Sequence, residues 1–471
     1  EAAVGSFEQA IKFKPDYAQA YINRGQALFA LQRIEAAMAR YDQALALVPG
    51  SIDAYLQWAV TLGESGRFEA AHSCFDKVIA TPPEVATAHN NRGAMLLNLT
   101  RYDEALASFD RANVLTPDYA NAHCNRGLAL HGLERFDAAL AAFDHAILLN
   151  GEFSGAYFNR ALTHQKCRRF VQAITDHEQA IALNPNFAEA FSFRALLLHE
   201  LGQSEAALVS LDQAIALKPD LAEAFSNRGM VLQVLERYPE ALSDLNRALE
   251  LDPKASYALG DWCYTKMNLA SWDGLEDAFR RISAALERGE RVANPFTLLS
   301  TPLGLEQRRA GAEVCARMEL PRPANRWQRP VHSPGRLRIG YISSDFRRHA
   351  VAYLTARLFE LHDRQRFETF GFYIGRTTDE VHRRLVNGFE HFFECGSMTD
   401  EQIVETIKAA QIDILIDLNG YTQNNRVGVL TQRPAPVQVN YIGFIGTMGA
   451  GFVDYILADR VVIPEEDRMH Y

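Results

Sequence analysis

Proline recurs every 34 residues through the first half of the chain, at Pro15, Pro49, Pro83, Pro117, Pro185, Pro219 and Pro253, with Gly151 in the slot between Pro117 and Pro185. A fixed period of this length marks a repeat array, and it decides how more than half of the chain is read. Other slots keep the same register. Ala20, Ala54, Ala88, Ala122, Ala156, Ala190 and Ala224 share one. Three residues on stand Asn23, Gln57, Asn91, Asn125, Asn159, Phe193 and Asn227. Near the end of each unit fall Ala44, Val78, Ala112, Ala146, Ala180, Ala214 and Ala248.

The period and pattern resemble the tetratricopeptide repeat, in which each unit is two antiparallel helices. In the unit 118–151 the pattern predicts helix A over 119–133, a turn at Glu134 and Arg135, and helix B over 136–149. A proline after helix B restricts the residue before it and lacks an N–H, so the helix stops there. The following Asp118, like Asp220, is expected to cap the next helix with its carboxylate. The small alanines suit a close helix crossing, and Tyr21, Tyr55, Tyr157, Phe191 and Phe225 fill the space between units. The reading gives an α-solenoid over 1–253: a half-unit at 1–14 and seven full units. One repeat cannot bury its own apolar face, so stability comes from stacking on neighbours.

At 471 residues the chain exceeds one ordinary domain. A net charge of −10 argues against non-specific nucleic-acid binding. The six cysteines are scattered without a CxxC pair, which reads as reduced thiols in a cytoplasmic protein. No run of eighteen apolar residues exists, so no membrane span is expected. The chain opens inside a repeat helix without an initiating methionine, so residues are expected in front of it.

From Ala255 the period fades, although 258–267 and 275–288 still read as helices. Residues 254–335 form a helical transition that ends in a linker, with four prolines between Pro321 and Pro334. From 336 the pattern alternates: strand 337–342, helix 351–361, strand 367–374, helix 401–410, strand 412–418, then short strands at 437–441 and 455–458. Alternation of this kind indicates an α/β, doubly wound parallel sheet of Rossmann type. Ligands of such sheets sit beyond the carboxyl ends of the strands, which points to the loops 343–349, 419–425 and 443–451.

Those loops carry a second resemblance. LRIGYISSDFRRHAVAYL, DILIDLNGYT, RPAPVQVNYIGFIGTMGAGFVDYILAD and VVIPEEDRMHY resemble the first half of the catalytic region of glycosyltransferase family 41. The family includes the animal O-linked N-acetylglucosamine transferase, the plant SPINDLY proteins and bacterial relatives, with tetratricopeptide repeats ahead of two Rossmann-like lobes. The resemblance implies that 336–471 is the first lobe, incomplete at its C-terminus. The second lobe, which in the family holds most of the nucleotide-sugar site, is absent, so the fragment alone is expected to be inactive. By the family motif His349 lies in the active site as a base or positioning group, which suits an imidazole that titrates near neutrality. The motif places Asn419 and Thr422 close to the sugar, and the residues alone read equally as an Asn–Gly turn. Asp345 and Ser344, in the first loop, either orient His349 or make an Asx-turn. Gly446 and Thr447, with Gly443, Gly449 and Gly451, form a loop whose backbone can approach a donor or acceptor, or a plain turn. Ile445 stands where many relatives have proline.

In the family the asparagines matching Asn23, Asn91, Asn125, Asn159 and Asn227 hold the backbone of an extended acceptor peptide on the concave face, since an amide both donates and accepts. Read alone, the same residues equally bridge neighbouring helices, and Phe193 interrupts the track. Arg24, Arg92, Arg126, Arg160, Arg194 and Arg228 in the next slot suit inter-repeat ion pairs. No histidine lies at metal-ligand spacing and no DxD occurs, so no metal or other cofactor is expected. The implied activity is inverting, metal-independent transfer of a sugar to serine or threonine of bound proteins. UDP-N-acetylglucosamine is the expected donor and GDP-fucose its rival. A non-catalytic repeat scaffold for protein partners is the alternative of another class.

Overall fold

The computed structural model describes residues 1–80, 85–320, 335–422 and 424–471. Pro83 and the proline-rich linker therefore lie outside the described residues. The chain divides into two compact units, Glu1–Leu197 and Leu198–Tyr471. The division falls inside the repeat array, because a solenoid's contacts run only between neighbouring repeats.

The first unit is helical throughout. It opens with the single helix Ala2–Phe13 and continues in antiparallel pairs, of which Ala120–Gly132 and Phe136–Leu149 are typical. The slot alanines Ala54, Ala88, Ala122, Ala156 and Ala190 are fully buried, as a close helix crossing demands. Each pair turns through a residue in the left-handed region, again 34 apart: Gln32, Gly66, Thr100, Glu134 and Arg168, with φ between 53° and 76°. The expected caps are not made. The helices after Asp118 and Asp220 begin two residues later, with Tyr119 and Leu221 at the N-cap and no side-chain cap. The two-residue turn after helix B leaves each aspartate one residue short of the N-cap.

The second unit holds the last repeats and the sheet. The period does not fade where the sequence suggested. The pair Ala258–Asn268 and Leu275–Glu287 keeps the register: Ala258 fills the alanine slot fully buried, Ala270 takes the left-handed turn at φ 49°, and Trp262 fills the arginine slot. Its indole N–H donates to Asn246 Oδ1 at 2.7 Å, sixteen residues back, as the arginines do to their partners. The helices Pro295–Leu299 and Leu305–Glu319 follow.

The sheet has six parallel strands: β1 (Leu337–Ser343), β2 (Phe367–Tyr373), β3 (His391–Glu394), β4 (Ile414–Asp417), β5 (Val437–Tyr441) and β6 (Tyr455–Leu457). Their order is β3-β2-β1-β4-β5-β6, the doubly wound arrangement. The sequence reading missed β3 and the helix Glu380–Gly388 before it, both short and rich in charge. One core layer gathers Phe370, Phe372, Leu415 and Ile403; the other gathers Tyr341, Phe346, Phe359 and Phe389. The sheet is thus covered on both faces, which leaves its strand ends as the open edge. The strand order reverses between β1 and β4, so their carboxyl ends define the switch point where such sheets bind ligands.

Candidate active site at the strand ends

Asn419 joins the loops at the switch point. Its Oδ1 accepts from Ser344 N at 2.7 Å. Its Nδ2 donates to Ser344 Oγ at 2.9 Å, Asp345 Oδ2 at 2.9 Å and Thr422 Oγ1 at 3.2 Å. At 1 % exposure, with both amide hydrogens spent and the amide oxygen engaged, Asn419 is a hub that ties the loop after β1 to the loop after β4. Thr422 Oγ1 donates back to Asn419 O at 3.0 Å, closing the turn.

Asp417, at the end of β4, supports the hub from below. Its carboxylate accepts from Asn419 N at 3.0 Å, Gly420 N at 2.8 Å and, more weakly, Asn440 Nδ2 at 3.4 Å. Burial pushes its carboxyl above the usual carboxylate range, against the pull of those donors. The sequence reading passed over Asp417 as a strand residue. A carboxylate inside the apolar run IDILIDL is the signal that marked it.

His349 occupies the N-cap of the helix Ala350–Glu360. Its Nδ1 accepts from Val351 N at 3.3 Å and lies 3.8 Å from Asp345 Oδ2, too far for a hydrogen bond. With Nδ1 accepting, Nε2 carries the ring proton. The imidazole is 39 % exposed, while Asp345 beside it is buried. The loop's backbone is pinned by Asp379, which accepts from Arg348 N at 2.6 Å and caps the helix Glu380–Gly388 through His382 N at 2.9 Å.

The glycine-rich loop after β5 packs closely against protein. A side chain at Gly443 would place its Cβ 1.7 Å from Leu418 O, so only glycine lets β5 exit beside the hub. Gly449 is left-handed, at φ 59°, and a Cβ there would meet Glu313 N at 2.5 Å. Gly446 packs against Phe444 and Leu299, and Thr447 Oγ1 accepts from Gly449 N at 3.2 Å. Tyr421 OH donates to Met448 O at 2.8 Å and links this loop to the second. Neither Gly446 nor Thr447 bonds to the hub among the described residues.

In the repeats, Asn125 Nδ2 donates to Asn90 Oδ1 at 3.0 Å and Asn159 Nδ2 to Cys124 Sγ at 3.7 Å, each reaching the preceding repeat. Asn23 accepts from Gln19 at 3.0 Å and Asn91 from Asn90 at 3.2 Å. All four, and Asn227, are half-buried. One amide hydrogen of Asn125 and of Asn159 is thus spent inside the solenoid. The arginine slot makes the expected pairs: Arg92 with Asp76 at 2.7 Å, Arg126 with Asp110 at 2.6 Å, Arg160 with Asp144 at 2.6 Å and Asp176 at 2.5 Å.

Comparison with known proteins bears on these loops. Residues 300–471 match the model of glycosyl transferase family 41. The region behind the repeats is thus similar to glycosyltransferase family 41. Tetratricopeptide-repeat models match 1–52, 56–120, 120–153, 195–234 and 222–255 of the array ahead of it. Over 218 residues, 43 % of this chain, the sequence is 33 % identical to a probable UDP-N-acetylglucosamine–peptide N-acetylglucosaminyltransferase of Arabidopsis thaliana, of which it covers 22 %. Over 136 residues, 28 % of this chain, it is 39 % identical to the corresponding transferase of Caenorhabditis elegans, of which it covers 12 %. The chain thus spans about a fifth or less of these relatives' length. Among solved structures, an O-GlcNAc transferase mutant from Thermobaculum terrenum aligns over 68 % of this chain and 56 % of its own, at 25 % identity and a TM-score of 0.42. The hub lies wholly within the matched residues. Among the described residues no helix is long and apolar enough to cross a membrane.

Proposed function

We propose that this chain is the repeat array and first sugar-transfer lobe of a protein O-glycosyltransferase, moving N-acetylglucosamine from a UDP donor to serine or threonine hydroxyls of proteins held by the repeats. One observation carries the reading: the loops after β1 and β4 converge at the switch point of the sheet, locked together by Asn419, within residues that match family 41. Asn419, Asp417 and Thr422 hold the two loops rigid, and rigidity at a reacting centre is what converts binding into rate. His349 then presents Nε2–H as a donor that orients a sugar, phosphate or acceptor oxygen. It becomes a general base only if the ring turns so that Nδ1–H bonds Asp345, which frees Nε2 to take the hydroxyl proton. Gly446 and Thr447, in the loop after β5, would serve the donor or the acceptor. The half-buried asparagines Asn23, Asn91, Asn125, Asn159 and Asn227 would turn their amides to the backbone of an extended peptide. The leaving diphosphate is neutralised by fixed protein donors, with no metal or other cofactor required.

The test is transfer of label to protein by the full-length protein, offered radiolabelled UDP-N-acetylglucosamine and GDP-fucose separately, beside His349→Ala. The reading expects label from the UDP donor, lost in the variant. Label from GDP-fucose alone corrects the donor. No label from either leaves the repeat scaffold as the better account.

A further inference from the structure

The repeats are their own internal control, and two of their slots are broken at one place. Each slot arginine lies between two B helices, sixteen residues after one partner position and sixteen before another. The second position reads Arg40, Cys74, Ser108, Ala142, Asp176, Ser210 and Asp244 along the array. Ser108, Asp176 and Asp244 bond the slot arginine. Arg92 donates to Ser108 Oγ at 2.7 Å. Arg160 holds both oxygens of Asp176, at 2.9 and 2.5 Å, and Arg228 both oxygens of Asp244, at 2.6 and 2.7 Å. Arg126 meets Ala142 instead. It keeps Asp110 through Nε, and its two terminal nitrogens have no partner among the described residues. Its side chain is 34 % exposed, against 20 % for Arg160 and 24 % for Arg228.

The second break is Asn113. Its slot reads Leu45, Ile79, Ile147, Ile181, Ile215 and Leu249 elsewhere. At Asn113 both amide atoms are buried, and neither has a partner among the described residues. A buried amide with both atoms idle costs stability, so it calls for an explanation. The two breaks meet. Asn113, Arg126 and Ala142 line one groove of about 450 Å³, with Asp110, His123 and His145. The imidazoles of His123 and His145 lie against each other, ring centres 4.2 Å apart, and His123 Nε2 donates to Pro117 O at 2.9 Å. The helix Ala120–Gly132 supplies the floor of the groove, and Tyr102–Leu115 and Phe136–Leu149 supply its walls.

We infer that this groove binds a carboxylate, in the place that Asp176 and Asp244 fill within their own repeats. Those repeats supply the template, a carboxylate gripped by both arms of the slot arginine. At Arg126 the chain omits that carboxylate, and Asn113 adds an amide that can bond the same ligand. The carboxylate belongs either to an acidic side chain of a protein segment or to a small free acid.

Fluorescence anisotropy of dye-labelled hexaglutamate with the full-length protein tests this, with citrate as competitor. Arg126→Gln is expected to weaken binding by at least about tenfold. Ala142→Asp, which restores the internal carboxylate, is expected to weaken it as much while leaving the melting temperature equal or higher. Arg160→Gln, whose slot is already filled, leaves binding unchanged. Binding of citrate but not hexaglutamate, with the same response to the variants, supports the site and assigns it to a small acid. Saturable binding that ignores both Arg126→Gln and Ala142→Asp, or no binding of either probe to the parent, overturns the inference.

Discussion

The repeats and the sheet use asparagine in opposite ways. In the array the slot asparagines are half-buried, and each of Asn125 and Asn159 makes one bridge to the preceding repeat. At the strand ends Asn419 is sealed from solvent, makes four side-chain hydrogen bonds and holds two loops in register. A repeat spreads one task over many equivalent residues, so each is worth little and can be changed. A doubly wound sheet has one switch point, so the residue that closes it has no understudy.

The sharpest way to break this contrast is to crowd the switch point. Gly443→Ala puts a methyl carbon into Leu418 O, a backbone atom that cannot rotate away. Loss of about 3 kcal/mol or more is expected in urea unfolding of the sheet region. Unchanged stability would mean that the β5 exit is plastic. Next is Asn419→Ala, which strands Ser344 N and the Asp345 carboxylate in a buried site. About 2–3 kcal/mol is expected by the same measurement, against less than about 1 for Asn23→Ala in the array. Equal losses would erase the distinction.

The slot asparagine becomes Asp261 in the pair Ala258–Asn268 and Leu275–Glu287, and burial pushes its carboxyl up to about 7. A raised carboxyl favours the neutral folded form. Its stabilising effect is complete below the unfolded value near 4, fades as pH rises towards 7, and is gone above it. Asp261→Asn should therefore raise the melting temperature at pH 8, by the equivalent of about 2 kcal/mol, and change little at pH 4. His177, fully buried in the other unit with both ring nitrogens unpartnered among the described residues, has the opposite sign. Burial holds it down to about 4, so its contribution is complete above about 6.5 and is lost as pH falls towards 4. Melting of His177→Phe between pH 7 and 4 should fall less steeply than that of the parent.

The smallest effect concerns the turn slot. Thr100 sits at φ 56°, a poor place for a β-branched residue, whereas Gly66 fills the same slot freely. Thr100→Gly should stabilise, and Gly66→Ala destabilise, each by about 1 kcal/mol in thermal melts.

How much of this was legible in the sequence follows the same division. The helix pairs were readable because the array aligns with itself, to the point that the turn at Glu134 and helix 136–149 fall where the pattern put them. The eighth pair was read as two helices but not as a repeat, because its asparagine and arginine slots hold Asp261 and Trp262, which keep the geometry and change the letters. In the sheet region the strands showed as apolar runs, but the charged stretch 380–394 hid a helix and β3. The hub itself was not readable. Asn419–Gly420 has the chemistry of a turn, and only folding brings Ser344 and Asp345, some 75 residues away, within its reach.

The central claim is that the repeats hold the acceptor while the strand ends carry out the transfer. Steady-state transfer from UDP-N-acetylglucosamine to a protein acceptor by the full-length protein tests it most directly, comparing the double variant Asn125→Ala with Asn159→Ala against His349→Ala. The account predicts a raised KM for the acceptor with kcat held in the first, and a kcat lowered by about a hundredfold or more with KM held in the second. A fall in kcat at constant KM from the solenoid variant, or full activity in His349→Ala, would contradict it.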